Sequence, residues 1–203
     1  PTTKLGKVTK TSPYGTIEKP FNPGELVIGA HGTFFARSID AEVNLTTECM
    51  VAASKHDGLS VIEVLVNCMI FNNGTHKAFA GDKEVRAEHT ITLRQGEKML
   101  FGKNMDKGLM LDNMKLKVVT VGENGVTLDD ILVHDAHEKD TMVHVMLASM
   151  KYPDFPVALG IIRDVAEPTY EREVARQIAE VQATAKIKNV DDLLNSGETW
   201  EVE

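Results

Sequence analysis

Ser60-Val61-Ile62-Glu63-Val64-Leu65-Val66, running into Asn67-Cys68, is the stretch on which the fold turns. It is a β-branched run of strand length that ends abruptly in polar residues. Before it, residues 46–57 read as a helix. Thr46 or Thr47 can cap it, Glu48 lies in its first turn, and Gly58 supplies a position just past its end. Earlier still, Leu26-Val27-Ile28-Gly29-Ala30 is an apolar run between Pro23-Gly24 and Gly32, read as a buried strand. Strand, helix and strand with short connections make a βαβ unit with parallel strands.

Working outward, residues 1–25 are polar and proline-punctuated and read as an extended segment lying on something else. After Cys68, Asn72-Asn73-Gly74 signals a turn. Residues 72–113 are charged and broken by glycines, an irregular excursion with a small hairpin or two; residues 89–93 and 114–121 alternate. Residues 127–132 open a short helix. Residues 141–150 form a better one, stopped at Tyr152-Pro153. Residues 157–162 are a further buried strand. Residues 171–186 carry Val174, Ala175, Ile178 and Val181 at helical spacing, and 189–194 start a last short helix. The fold class is α/β. Three parallel-type strands fall short of the five or six of a self-sufficient doubly wound sheet, and the chain opens Pro1-Thr2-Thr3 without methionine. Both features lead us to expect a piece of something longer.

Composition narrows the function. The 203 residues are 42% hydrophobic and 26% charged, ordinary for a globular protein and enough for a core without staples. A net charge of −8 disfavours a general nucleic-acid or anionic-membrane binder, and 5% aromatics give no broad stacking platform. Two cysteines make no disulfide framework; with nine methionines and no recognisable leader they fit a reducing, cytoplasmic setting.

Four groups of residues could carry chemistry. Cys68 sits at the C-terminal end of a strand, where open α/β sheets bind ligands. It reads as a nucleophile, a metal or cluster ligand, or a buried thiol, the last being commonest. Cys49, among Met50, Val51 and Ala52, reads as core packing. His134, Asp135 and His137, with His144 beyond, have weak metal-site spacing and read more simply as a polar junction. Gly29-Ala30-His31-Gly32 precedes Arg37, but neither dinucleotide nor P-loop spacing is present. Arg37 is placed to pair with a carboxylate or to lie on the surface. Asp129-Asp130 and Asp191-Asp192 stand at helix starts, where the dipole accounts for them.

The residues in combination say more. His31-Gly32-Thr33-Phe34-Phe35-Ala36-Arg37, then a helix, then 60–66, then Cys68-Met69-Ile70-Phe71-Asn72, resembles the β subunit of 2-oxoacid:ferredoxin oxidoreductases, whose corresponding segments read approximately ATFVAR and QPCVTFN. Residues 157–165 with Pro168-Thr169-Tyr170 resemble that family's C-terminal extension. The opening residues resemble the stretch after its GQ-x-SPT segment. The likeness covers nearly the whole chain and leans toward the 2-oxoglutarate branch.

That resemblance implies the C-terminal part of a thiamine-diphosphate-binding three-layer α/β/α fold plus the C-terminal extension. Residues 1–72 would be the second half of the cofactor domain, and 73–203 the C-terminal domain of the β chain. It implies thiamine diphosphate, Mg²⁺ and a [4Fe–4S] cluster in the intact enzyme, with diphosphate, magnesium and three cluster ligands upstream of residue 1. It aligns Cys68 with the fourth cluster ligand, although Val66-Asn67 stands where the family has Gln-Pro. The implied partners are an α subunit, ferredoxin, a 2-oxoacid and coenzyme A. The piece alone would be inactive, with no cofactor bound. Two rival readings stay open: a non-catalytic α/β assembly or binding module, and a metal-dependent hydrolase built on His134, Asp135 and His137. Gly-Asp-Gly and Cys-x-x-Cys motifs in the preceding codons would argue against the first rival. Metal content unchanged by His137→Ala would argue against the second.

Overall fold

The computed structural model describes residues 3–198 and 200, so Pro1 and Thr2 of the opening motif lie outside the described residues. The chain forms two compact units, residues 1–166 and 167–203. The first holds a four-stranded sheet in the order β2-β1-β7-β3, from β1 (Phe34–Ile39), β2 (Ser60–Leu65), β3 (Thr90–Leu93) and β7 (Val157–Asp164). β1 runs parallel to β2, and β3 parallel to β7, but β7 is antiparallel to β1. The sheet is therefore mixed. The expectation of uniformly parallel strands fails at β7, because nothing in a strand's own composition reports its direction. Strands from either side of residue 72 share this sheet.

The βαβ unit forms, with one strand relocated. Residues 26–30 belong to helix α1 (Pro23–Gly29) rather than to a strand. The proline and glycine read as a boundary are a helix start. Asn22 accepts from the Gly24 N–H as N-cap, and Pro23 occupies the first turn. The true strand is Phe34-Phe35-Ala36-Arg37-Ser38-Ile39, every residue of which is buried. Its polar members are bonded: Ser38 accepts from the Thr46 hydroxyl at 3.0 Å, and Arg37 is ion-paired. Helix α2 (Val43–Lys55) then returns the chain to β2, starting three residues before the expected caps.

Layers on both faces explain why β1 is buried throughout. Phe34 and Ala36 pack with Leu45 and Cys49 of α2 and with Val157 and Leu159. Phe35 packs on the other side with Ile28 of α1, Leu147 and Ala148 of α5 (Met142–Ser149), and Ala158 and Ile162 of β7. α1 lies close to the sheet: a β-carbon on Gly24 would stand 2.6 Å from the Phe35 ring and 3.1 Å from Ala148. In β7, Gly160 has φ +98°, and a β-carbon there would come within 2.6 Å of the Leu93 carbonyl. That is backbone no other residue adopts cheaply.

The excursion contains short helices α3 (Lys77–Ala80) and α4 (Lys83–His89) and an antiparallel sheet of β4 (Leu100–Phe101), β5 (Lys107–Asp112) and β6 (Lys115–Thr120). Asn113 and Met114 join β5 to β6 with positive φ angles of 47° and 63°, the conformation of a tight hairpin turn. A 3-10 turn over Leu128–Asp130 replaces the short helix expected there.

The second unit holds α6 (Tyr170–Thr184) and α7 (Val190–Leu194). Arg176 pairs with Glu173 at 2.6 Å and Glu180 at 2.7 Å along α6. Ile178 and Val181 of the expected apolar stripe are exposed. Among the described residues no helix is long and apolar enough to cross a membrane.

Candidate functional site

Cys68 follows β2 by three residues and is exposed. Its turn is closed from inside. The Asn72 N–H donates to the Cys68 carbonyl at 3.0 Å. Asn67, standing where a proline was expected from the resemblance, braces the turn. Its backbone N–H donates to Asp40 at 3.1 Å, its side-chain Nδ2 donates to Asn73 at 3.0 Å, and its side-chain Oδ1 accepts from the Gly74 N–H at 2.8 Å. The Asn72 amide donates to the Thr75 hydroxyl.

This geometry favours the thiolate. The Phe71 N–H is the strongest influence lowering the Cys68 pKa, helped by those of Ile70 and Asn72. Amide donors directed at sulfur stabilise the charged form, and the thiolate is both nucleophile and metal ligand. Cys49 is the opposite case. It is fully buried, and burial followed by Glu48 raises its pKa, so it is core packing. Cys68 therefore fits one ligand position of a thiolate-held cluster. Among the described residues no three His, Cys, Asp or Glu side chains gather to hold a metal. A four-thiolate cluster would draw its remaining ligands from beyond these residues.

Arg37 lies beneath this edge. It stands opposite Glu63 in the β1–β2 register and pairs with it at 2.6 Å. It also donates to the Ala148 carbonyl at 3.1 Å and to Asn22 at 3.4 Å. The carboxylate partner expected for it exists, and the surface alternative does not hold, since Arg37 is buried. Gly29, Ala30, His31 and Gly32 terminate α1 rather than face a ligand.

The histidines expected as a possible metal site have structural partners. His134 Nε2 bonds the Ile161 carbonyl at 2.8 Å. His144 Nε2 donates to the Asp135 carbonyl at 2.8 Å, while its Nδ1 accepts from Arg163 at 2.9 Å. His137 Nδ1 donates to the Asp164 carbonyl. The acid pairs act as helix-start residues: Asp130 accepts from the Thr127 N–H at 2.7 Å, and Asp192 from the Lys188 N–H at 2.8 Å.

Burial, with Arg163 beside His144 and His144 beside His134, holds both imidazoles below the usual value of 6.5. The folded chain thus resists protonation that the unfolded chain accepts. Stability is full above pH 6.5 and falls as the pH drops from there through the lowered folded values. Thermal midpoints at pH 7.5 and 5.5 test this: the acid sample should melt lower. The His134→Gln/His144→Gln variant should lose most of that difference. A midpoint independent of pH would refute it.

Sequence reasoning missed a second constellation. His56, just past α2, bonds Asp164 through Nδ1 at 2.8 Å and the Thr33 hydroxyl through Nε2 at 2.9 Å. Its ring lies 5.3 Å from that of Phe34. The three residues tie the start of β1, the end of α2 and the end of β7, at the end of the sheet opposite Cys68. His56 lies 23 positions from Thr33 and 108 from Asp164, and no local pattern announces them.

No family model matches the chain. It is 34% identical over 206 residues to the 2-oxoglutarate oxidoreductase subunit KorB of Mycobacterium tuberculosis, covering 100% of this chain and 54% of that protein. It is 40% identical over 68 residues to the 2-oxoglutarate synthase subunit KorB of Archaeoglobus fulgidus, 34% of this chain and 26% of that one. In structure it resembles the 2-oxoglutarate:ferredoxin oxidoreductase of Magnetococcus marinus, solved with 2-oxoglutarate, coenzyme A and succinyl-CoA bound. The TM-score is 0.60 at 15% identity, over 98% of this chain and 52% of that one. The chain thus spans about half the length of these two full-span matches. It is similar over its whole length to a subunit of a 2-oxoglutarate oxidoreductase and, over about a third of it, to the β subunit of a 2-oxoacid:ferredoxin oxidoreductase of Saccharolobus solfataricus, to which it is 40% identical over 73 residues.

Proposed function

We propose that this chain is part of the β subunit of a 2-oxoglutarate:ferredoxin oxidoreductase and that Cys68 donates one thiolate to its [4Fe–4S] cluster. The observation that carries the reading is the exposed Cys68 thiol, set on a turn braced by Asn67 just past the end of β2. The whole-length similarity to a 2-oxoglutarate oxidoreductase subunit supports the substrate. The reaction converts a 2-oxoacid and coenzyme A into an acyl-CoA and CO₂, releasing one proton and two electrons, the electrons leaving singly to two ferredoxins. Thiamine diphosphate with Mg²⁺, when bound, supplies the electron sink for decarboxylation. No residue of this chain is assigned to it. The chain's own contribution is to fix one sulfur on a braced turn and to hold that turn to the end of β1 through the Asn67 N–H donating to Asp40. The enzyme is completed by an α subunit, and these residues alone are inactive.

The test is the purified complex of the full-length β chain with its α subunit. It should reduce methyl viologen only when 2-oxoglutarate and coenzyme A are both present, and should prefer 2-oxoglutarate to pyruvate. A complex with neither iron nor substrate-dependent reduction would overturn the reading.

A further inference from the structure

Residues 4–19 hold four lysines, Lys4, Lys7, Lys10 and Lys19, against one acid, Glu18, in a chain of net charge −8. All four lysines are exposed, and none is in an ion pair among the described residues. The segment is ordered by its own backbone. Gly6 N–H donates to Thr16 O at 2.7 Å, Thr16 N–H to Lys7 O at 3.1 Å, and Thr9 and Ser12 exchange both main-chain bonds with Lys10 and Thr11 at the tip. Three of the lysines are thus displayed from a fixed ladder.

That ladder shares a surface with the Cys68 turn. A cleft of about 360 Å³ is lined on one side by Thr9, Thr11, Ser12 and Thr16 and on the other by Phe71 and Asn72. Residues 66–75 carry no ionisable group other than the Cys68 thiol, and Met69, Ile70 and Phe71 are exposed around it. Acids nearby already have partners: Asp40 accepts from the Asn67 N–H, and Glu63 is paired with Arg37. An uncharged apolar knob around an electron-transfer ligand, flanked by unpaired ammonium groups, is the surface that a negatively charged protein recognises: apolar contact for affinity, charge for encounter and orientation.

From this juxtaposition we propose that Lys4, Lys7 and Lys10 form the docking patch for an acidic one-electron carrier protein, seated against Met69–Phe71 beside Cys68. The proposal rests on the reading of Cys68 as a cluster ligand, since only that gives a carrier reason to dock there. Charge steering of this kind weakens with salt, because exposed charges are screened within about 10 Å at 0.1 M.

The experiment uses the assembled enzyme and an acidic ferredoxin as probe, with binding read directly at low and high salt. The Lys4→Glu/Lys7→Glu/Lys10→Glu variant should bind the probe at least roughly 10-fold more weakly at low salt and lose the salt dependence. Its viologen reduction should match that of the unaltered enzyme, since viologen needs no protein dock. The Lys55→Glu/Lys115→Glu/Lys151→Glu variant makes the same change of net charge on other exposed lysines and should bind normally. Unchanged binding in the first variant overturns the proposal. So does equal weakening in both, which would make the effect one of net charge. Failure of the underlying reading is seen separately, as absent substrate-dependent viologen reduction in the unaltered enzyme.

Discussion

Cys68→Ala in the assembled enzyme is expected to bleach the visible absorbance of the cluster and to abolish ferredoxin reduction. The loss should exceed the roughly 10–100-fold typical of removing an outer-shell partner, because a thiolate bond itself is removed. The folded chain should be unaffected. Cys68 is exposed, and its turn is held by Asn67 and Asn72 through bonds that do not involve the thiol. Circular dichroism therefore serves as the control and should match the unaltered enzyme, and the thermal midpoint should match that of the unaltered enzyme stripped of its cluster. Cys49→Ala makes the contrast. It should leave the cluster intact and lower stability, since Cys49 is wholly buried between α2 and β1. A Cys68→Ala enzyme with an intact, reducible cluster would refute the ligand assignment.

The sequence carried the placement of Cys68 just past a strand end better than it carried the sheet. Cys68 was legible because a thiol directly after a β-branched run marks a strand end, and that depends only on neighbours in the chain. The strand at 34–39 was not legible for a physical reason. Arg37 and Ser38 interrupt its apolar run, and the groups that make them tolerable, Glu63 and Thr46, lie elsewhere in the sequence. Residues 26–30 misled in the opposite sense: five apolar residues are too few to separate strand from helix, and the decisive signal was Asn22-Pro23 ahead of them. The direction of β7 and the His56–Asp164 bond are long-range facts, set by packing. The helix of 170–184 formed as expected, yet its exposed Ile178 and Val181 show that spacing predicts a face and not what covers it.

Arg37→Met tests whether the buried pair under the Cys68 edge is structural. Arg37 satisfies three partners at once: the Glu63 carboxylate at 2.6 Å, the Ala148 carbonyl at 3.1 Å and the Asn22 side chain at 3.4 Å. Methionine keeps the apolar stem and removes every donor. Glu63, whose side chain is only 17% exposed, is then a buried carboxylate without its cation. Breaking a buried pair in this way costs about 3–5 kcal/mol, mostly as the penalty on the charge left behind. For a protein of this size that lowers the thermal midpoint by about 10 °C. The cost should fall largely on the β1–β2 contact, because Arg37 and Glu63 are register partners two residues before β2 ends at Leu65. Arg37→Met should therefore loosen the Cys68 turn and lower iron content as well as stability. The double variant Arg37→Met/Glu63→Leu removes both charges, and most of the lost stability should return, since no unpaired ion remains. A single variant within about 1 kcal/mol of the unaltered protein would mean that Glu63 reaches water without Arg37, leaving the pair no more than a surface contact.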